Sequence, residues 1–381
     1  MMRPVAPSLS RGGAVFIILS CAQMIPAQDL SSSNARLERS LSLYRSGDLD
    51  RACREIASEA QESSTNPVPR LYLLGCAIHS RSTSQIRARQ DALDKVVHLG
   101  APTHQTAGEW LASGGYCAES EREFSMGPPG ETAAVRFVLG QCYQAVGDAT
   151  EAAADYQKAL QLDPDKEDYY LSLAILLMAG GKPEEAGNVL LQSVAHFPNS
   201  VRTLIAMSLL HLELGYPDRA RLGYEKARAL APDSPAVWKL LGRIQMAEGT
   251  YEEAAASFEH SASFDSTDAE TYLLLGMAEM KIEGGSDSAL AAFKRAITID
   301  SQLNEARILA ASVYLQDKRD FEKAEIELLA VVSSEPDSIR AHRLLMQVYQ
   351  MQGMTQKANA EAAEVRRLSE TDVAHEPQEP H

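Results

Sequence analysis

From residue 133 onward, large side chains recur at the fourth, seventh and eleventh positions of helix-length segments, with a small residue at the eighth. Trp238, Leu241, Gly242 and Gln245 fill these places in one segment; Tyr272, Leu275, Gly276 and Glu279 fill them in the next. Residues three and four apart share a helix face, so each segment predicts a helix with a ridge and a neighbouring notch. A second helix follows each first one and carries its own small residue at the twentieth position: Ala152, Ala186, Ala220, Ala254 or Ala289. Gly147, Gly181, Gly215 and Gly249 stand where the first helix must end in left-handed backbone. Pro164, Pro198 and Pro232, with Ser266 in the same place one unit on, mark the end of the second.

These columns recur every 34 residues, so the pattern is a repeat. Units begin near Ala133, Glu167, Val201, Pro235, Ala269, Asn304 and Ile339, with one residue added at Gly284-Gly285 and another at Asp317–Asp320. Insertions in a turn leave the packed faces in register. A fixed period of this length predicts an all-α solenoid of stacked helix pairs. Such an array offers surface rather than a pocket, which points to binding before catalysis.

Upstream the pattern weakens. Residues 35–60 predict a helix pair about Ser46-Gly47-Asp48, ended at Asn66-Pro67 because proline disfavours helix in the residue before it. A second pair is expected from Leu71, with its return helix over 86–99, and a short third pair over 104–126 with Gly114-Gly115 at its turn. Met126-Gly-Pro-Pro-Gly130 is the strongest local break. The expected organisation is therefore a signal peptide over 1–27, irregular helical repeats over 28–130, seven regular repeats over 131–368 and a disordered tail over 369–381.

The regular units resemble the tetratricopeptide repeat. Leu139-Gly140, Tyr143, Gly147-Asp148, Ala152, Tyr156, Ala159-Leu160 and Pro164 all fall on that family's consensus positions. The resemblance implies a right-handed superhelix whose first helices line a concave groove that binds peptides or partner proteins. It places Phe137, Leu171, Ile175, Met178, Ile205, Leu209, Leu212, Met246, Leu273, Met277, Met280, Ile308 and Leu315 on that face, with Lys239 and Arg243 as a central positive cluster. The Lys/Asn/Arg arrangement with which some relatives clamp a C-terminal carboxylate is not matched. Two readings of the apolar positions stand: a Met-rich surface adaptable to apolar segments, or an extension of the core between helices.

The charge sharpens the choice of partner. Of the formal −16, residues 29–130 contribute 11 basic against 13 acidic side chains, and residues 131–381 contribute 23 against 39. An acidic array opposes binding to a phosphate backbone, so nucleic acid is excluded and a protein or peptide partner is expected. No phosphate loop, His-Glu-x-x-His, nucleophile elbow or Cys-x-x-Cys occurs, and no two of the nine histidines share a metal-ligand spacing. No catalytic residue, metal, cofactor or small-molecule substrate is therefore assigned. The acidic run Asp163-Pro-Asp-Lys-Glu-Asp168 reads as helix capping between units.

Arg3 and Arg11 precede an apolar stretch, Ala14 to Ala22, too short to span a membrane. Two cleavage sites end in a small residue, Ser20-Cys21-Ala22 and Ile25-Pro26-Ala27; the second leaves room for the full apolar stretch and gives a mature chain of charge 34 − 52 = −18. Ile18-Leu19-Ser20-Cys21 weakly resembles a lipobox, which keeps a lipid anchor open as the alternative to a periplasmic or secreted chain. Two functions follow: a non-catalytic scaffold, or an accessory subunit of an envelope enzyme or of a secretion- or pilus-type assembly. Export also permits disulfides. Cys53 and Cys76 lie almost symmetrically about Asn66-Pro67, and Cys117 and Cys142 about Gly127–Gly130. Symmetric positions on antiparallel helices come abreast, so each pair could bridge; the alternative is four buried thiols.

Overall fold

A computed structural model describes residues 39–40, 42–43, 46, 48–62, 67–80, 83–94, 101–126 and 131–374. The export segment over 1–27, the break at 127–130 and residues 375–381 of the expected tail lie outside them. The chain divides into two compact units, Met1–Phe197 and Pro198–His381. The first holds α1 (Leu49–Glu62), α2 (Pro67–His79), α3 (Thr83–Asp94), α4 (Ala101–Ser113), α5 (Cys117–Met126), α6 (Ala133–Val146), α7 (Ala149–Leu162), α8 (Glu167–Ala179) and α9 (Pro183–His196). The second holds α10 (Val201–Glu213), α11 (Pro217–Leu230), α12 (Pro235–Glu248), α13 (Tyr251–Phe264), α14 (Ala269–Glu279), α15 (Ser286–Ile299), α16 (Asn304–Val313), a π-helix (Tyr314–Lys318), α17 (Phe321–Ser334), α18 (Ile339–Met351) and α19 (Thr355–Ala374). Each unit is a stack of antiparallel helix pairs, and the described residues form no strand.

The first helices of the seven regular pairs begin at the residues the spacing assigns, Ala133 through Ile339. Inside each pair two columns do the packing. The twentieth-position alanines Ala152, Ala186, Ala220, Ala254, Ala289 and Ala324 are all 0% exposed. Four residues on, Tyr156, Leu190, Tyr224, Phe258, Phe293 and Leu328 are buried with them. The ring at this place sits on the bare backbone of the eighth position. A methyl group added at Gly140 would lie 2.6 Å from Tyr156, at Gly242 2.6 Å from Phe258 and at Gly276 2.5 Å from Phe293. Each contact is too short for any Cβ, so glycine there is what admits the ring.

The same geometry extends upstream, where the sequence had shown only irregular repeats. A methyl at Gly108 would meet Phe124 at 2.7 Å, and these residues are sixteen apart, as Gly140 and Tyr156 are. The second helices α1, α3 and α5 begin 34 residues apart at Leu49, Thr83 and Cys117. Ala52, Ile86 and Ser120 form one buried column on that spacing, and Ile56, Gln90 and Phe124 form the other. The upstream pairs are thus regular but out of phase with α6–α19. Ile86 stands where a small residue is expected, and Ile56 and Gln90 where an aromatic is, which hid the period. The second pair also begins earlier than expected, at Pro67, because proline suits the first turn of a helix where its missing N–H is not needed.

Turns follow the glycine column with one instructive exception. After α12, Gly249 adopts φ 81° and the Thr250 N–H donates back to the Gln245 carbonyl at 2.9 Å, the double-bonded ending typical of a left-handed C-terminus. After α16 the extra residue is absorbed by the π-helix Tyr314–Lys318. Non-glycine Arg319 takes the left-handed place at φ 50°, and the Asp320 N–H reaches back to the Tyr314 carbonyl at 2.9 Å. At the C-terminus the expected disorder from residue 369 gives way to helix: α19 continues to Ala374. No glycine or proline interrupts Ser369–Ala374, and buried Leu368 and an ion pair from Glu361 to buried His342 (2.6 Å) dock the helix on α18.

Two tests follow from this packing. Alanine normally favours a helix over glycine by about 1 kcal/mol. At Gly242 overpacking against Phe258 should outweigh that gain, for a net loss of about 1–2 kcal/mol in urea unfolding. The loss should shrink when Phe258→Leu is present, since the two side chains share one contact. For His342, burial favours the neutral ring, but hydrogen bonds to Glu361 and the Pro336 carbonyl prevail and raise its pKa above the ordinary histidine value. A raised folded-state pKa means stability is full below the unfolded value near 6.5 and falls as pH rises through the folded value. Amide exchange in α19 should therefore be slower at pH 5.5 than at pH 8 once corrected for intrinsic rates, and His342→Gln should remove the difference.

Candidate binding surface

Within the second unit the first helices α10, α12 and α14 lie side by side. Their fifth, ninth and twelfth positions carry apolar side chains on α10 and α14, and Lys239, Arg243 and Met246 on α12. Ile205, Leu209 and Leu212 on α10 are half-buried against the core of Leu204, Tyr224 and Leu240. Met246 on α12 and Leu273 and Met277 on α14 are half-buried in the same manner, and Met280 is 37% exposed. These residues contribute one flank to the interior and leave the other accessible. In the first unit Met178 on α8 is half-buried and Ile175 is 56% exposed.

Several expected groove residues belong elsewhere. Leu171 is buried because α8 carries apolar residues on every side, including Tyr169, Tyr170, Leu173, Ala174, Leu176 and Leu177, and such a helix is enclosed on more than one face. Phe137 stacks between Tyr156 and Tyr169, ring centres 5.6 and 4.7 Å away, and so joins two repeats. Ile308 and Leu315 are core, 5% and 3% exposed, in the cluster with Phe293, Leu328 and Leu345. Leu315 lies in the π-helix, whose wider winding changes the face its residues present.

The central positive cluster is also corrected, because its charge is satisfied within the fold. Lys239 donates to Asp268 (2.9 Å) and Glu270 (2.7 Å), and Arg243 pairs with Glu270. Both acids open the next first helix, where Asp268 also caps by accepting from the Glu270 N–H at 3.1 Å. Burial alone would lower the Lys239 pKa, yet these bonds raise it. They likewise hold the Asp268 and Glu270 carboxyls below their ordinary values against the opposing effect of burial. The acid at position two of the following first helix, Glu270, is the residue in the sequence that signals this pairing, since it faces both cations from one repeat on. The acidic run between units acts locally: Asp163 accepts from the Asp165 N–H at 3.1 Å as α7 ends.

The four described cysteines are joined as Cys53–Cys76 and Cys117–Cys142, with Cα atoms 5.9 and 5.8 Å apart. The first ties α1 to α2 and the second ties α5 to α6. Each therefore links the second helix of one pair to the first helix of the next. Among the described residues no group of three His, Cys, Asp or Glu side chains is placed to hold a metal, and no helix is long and apolar enough to cross a membrane.

Two models described as tetratricopeptide repeat match the chain, over residues 143–207 and 205–269. Among solved structures, a tetratricopeptide repeat protein from Parabacteroides merdae is similar at TM-score 0.54 and 17% identity, over 65% of this chain and 98% of that one. The APC/C hetero-tetramer Cut9–Hcn1 is similar at TM-score 0.50 and 19% identity, over 86% of this chain. The chain spans 65% of the length of the matched Cut9–Hcn1 chain. At these identities the likeness concerns the fold. No curated protein matches the sequence.

Closing loops with sequence separations of 23 and 25 residues, each disulfide should stabilise the protein by about 3 kcal/mol on the chain-entropy account. Mass spectrometry of natively purified protein under non-reducing conditions should find no free thiol at these four positions. Reduction should lower the melting temperature while leaving the fluorescence of Trp238, far along the chain, less affected than that of Trp110.

Proposed function

The chain is a tetratricopeptide-repeat protein, and we propose that it is an exported, non-catalytic scaffold that holds a partner protein or peptide on the first helices of its repeats. The observation that carries this reading is the half-buried apolar strip of Ile205, Leu209, Leu212, Met246, Met277 and Met280. Such a strip offers van der Waals surface with unbranched, conformable thioethers. The ion pairs of Lys239 and Arg243 cross it as a fixed, internally neutral band, so a partner segment that is apolar rather than anionic fits it. Export is supported by the Arg3 and Arg11 region with its short apolar stretch. It is supported independently by two disulfides, which persist in oxidising compartments.

The full chain should capture a specific protein from the periplasmic or membrane fraction. Met280→Glu, at a site 37% exposed, should abolish capture and move stability by no more than about 0.5 kcal/mol. Met246→Gln and Met277→Gln preserve side-chain length and should weaken capture while the melt remains cooperative. Unchanged capture by all three would remove the strip as the site. A captured enzyme would favour the accessory-subunit role. N-terminal sequencing of native protein should begin close to Gln28, whereas an intact Met1 would exclude export and a lipidated Cys21 would establish the anchored form.

A further inference from the structure

The repeat supplies its own comparison at the eleventh position, where Tyr314 and Tyr349 occur in successive units. Each ring has a lysine from the nineteenth position above it: Lys323 Nζ lies 5.6 Å from the Tyr314 centre and Lys357 Nζ 4.7 Å from that of Tyr349. Around Tyr349 the arrangement is closed by Glu325, from the twenty-first position of the preceding repeat. Its Oε1 accepts from the Tyr349 hydroxyl at 2.8 Å and from Lys357 Nζ at 3.1 Å. One repeat earlier the twenty-first residue is Leu290, which offers no acceptor. Tyr314 is 5% exposed, and its hydroxyl makes no hydrogen bond among the described residues.

Beside Tyr314 lies a cavity of about 380 Å³, within the range of about 300–1,000 Å³ usual for small-molecule sites. One wall is a single face of α15, carrying Asp287, Leu290, Ala291 and Lys294; the other is the π-helix and the start of α17, carrying Tyr314, Lys318 and Lys323. Two lysines are screened by carboxylates at the rim. Lys318 pairs with Asp287 (2.7 Å), whose side chain is 85% exposed, and Lys323 with Asp320 (2.6 Å), which is also held as the α17 cap. Exposed pairs of this kind are weak and readily exchanged. Lys294 has no ion pair among the described residues. The lining therefore holds three ammonium groups against two carboxylates, over an apolar floor, in a chain that is otherwise strongly acidic.

We propose that this cavity binds a small organic carboxylate, seated where Glu325 sits one repeat on. Its oxygens accept from the Tyr314 hydroxyl and Lys323 Nζ, Lys294 supplies the uncompensated charge, and its hydrocarbon part lies on Leu290 and Ala291. The site involves a second helix and a turn, apart from the first-helix strip, so it is independent of the partner surface and can fail without it.

Calorimetric titration of the full chain with benzoate, and with benzamide as its neutral isostere, tests the assignment. Benzoate should saturate at roughly millimolar concentration, and benzamide should not bind. Tyr314→Phe removes only the hydroxyl and should weaken benzoate by about tenfold. Leu290→Glu supplies the acceptor internally and should abolish benzoate binding in a folded protein. Equal binding of benzamide, a Tyr314→Phe affinity within about twofold of the parent, or no saturation by about 50 mM would each overturn the proposal. An N-acetylated Ala-Ala-Leu peptide distinguishes the source of the carboxylate: its binding where benzoate fails would assign the site to a polypeptide terminus and overturn the small-molecule reading.

Discussion

The fold depends on how closely two antiparallel helices can approach, and that distance is set by a ring lying on bare backbone. Tyr156 on Gly140, Phe258 on Gly242 and Phe293 on Gly276 are the same contact made three times. The alanine four residues before each ring, 0% exposed throughout, meets the facing helix from the other side. Where the eighth position is Ser208, the close approach moves to Gly223, whose added methyl would lie 2.1 Å from the Ser208 hydroxyl oxygen. In these four pairs one missing side chain sets the approach, on whichever helix supplies it; α16–α17 makes do with Ala311 at the eighth position and Leu328 in place of a ring. Interiors packed to crystal-like density transmit such a constraint from pair to pair, and this keeps the period near 34 residues.

This explains what could be read from the sequence. Ala, Gly and an aromatic at fixed offsets are rare enough in combination to locate the start of every helix pair from Ala133 to Ile339. Upstream, burial at Ile86 and Gln90 satisfies the same offsets with unlike chemistry, so composition concealed a period that geometry retains; only Gly108 and Phe124 betrayed it. The surface was less legible than the core. Whether a fifth-position residue is groove or interior depends on how much its own helix and the next repeat cover it, which separates half-buried Ile205 from buried Leu171 and Ile308. Whether a cation is available depends on acids one repeat away, and so Lys239 and Arg243 read as a positive cluster until Asp268 and Glu270 were placed beside them.

Insertions show where the repeat tolerates change. The additional residue after α16 is taken up in the π-helix Tyr314–Lys318, just before the turn, and Arg319 then occupies the place glycine holds elsewhere. Ala324 and Leu328 remain fully buried beyond it. The core is conserved and the turn altered, so chemistry can diverge at the turns while the stack persists. A phenol with no hydrogen-bond partner among the described residues in one repeat and a bonded one in the next, Tyr314 against Tyr349, is the outcome of that freedom.

The upstream pairs illustrate the converse, a core with less ring-on-glycine packing and other links added. The pair α2–α3 has Leu74 where a glycine would admit a ring, and Gln90 where the ring would lie. Gln90 is fully buried, and its amide nitrogen is bonded. It donates to Glu123 (2.9 Å), which is itself fully buried and bonded to His104 (2.9 Å), so three helices, α3, α4 and α5, are tied through one polar cluster. Such a cluster tolerates loss of any member poorly, because a buried carboxylate left without its partners is strongly unfavourable. The disulfides flank it, one joining α1 to α2 and the other α5 to α6. Among the described residues the covalent links fall where ring-on-glycine packing is sparse, and both disulfides lie before Ala152, where the unbroken run of small twentieth-position alanines begins.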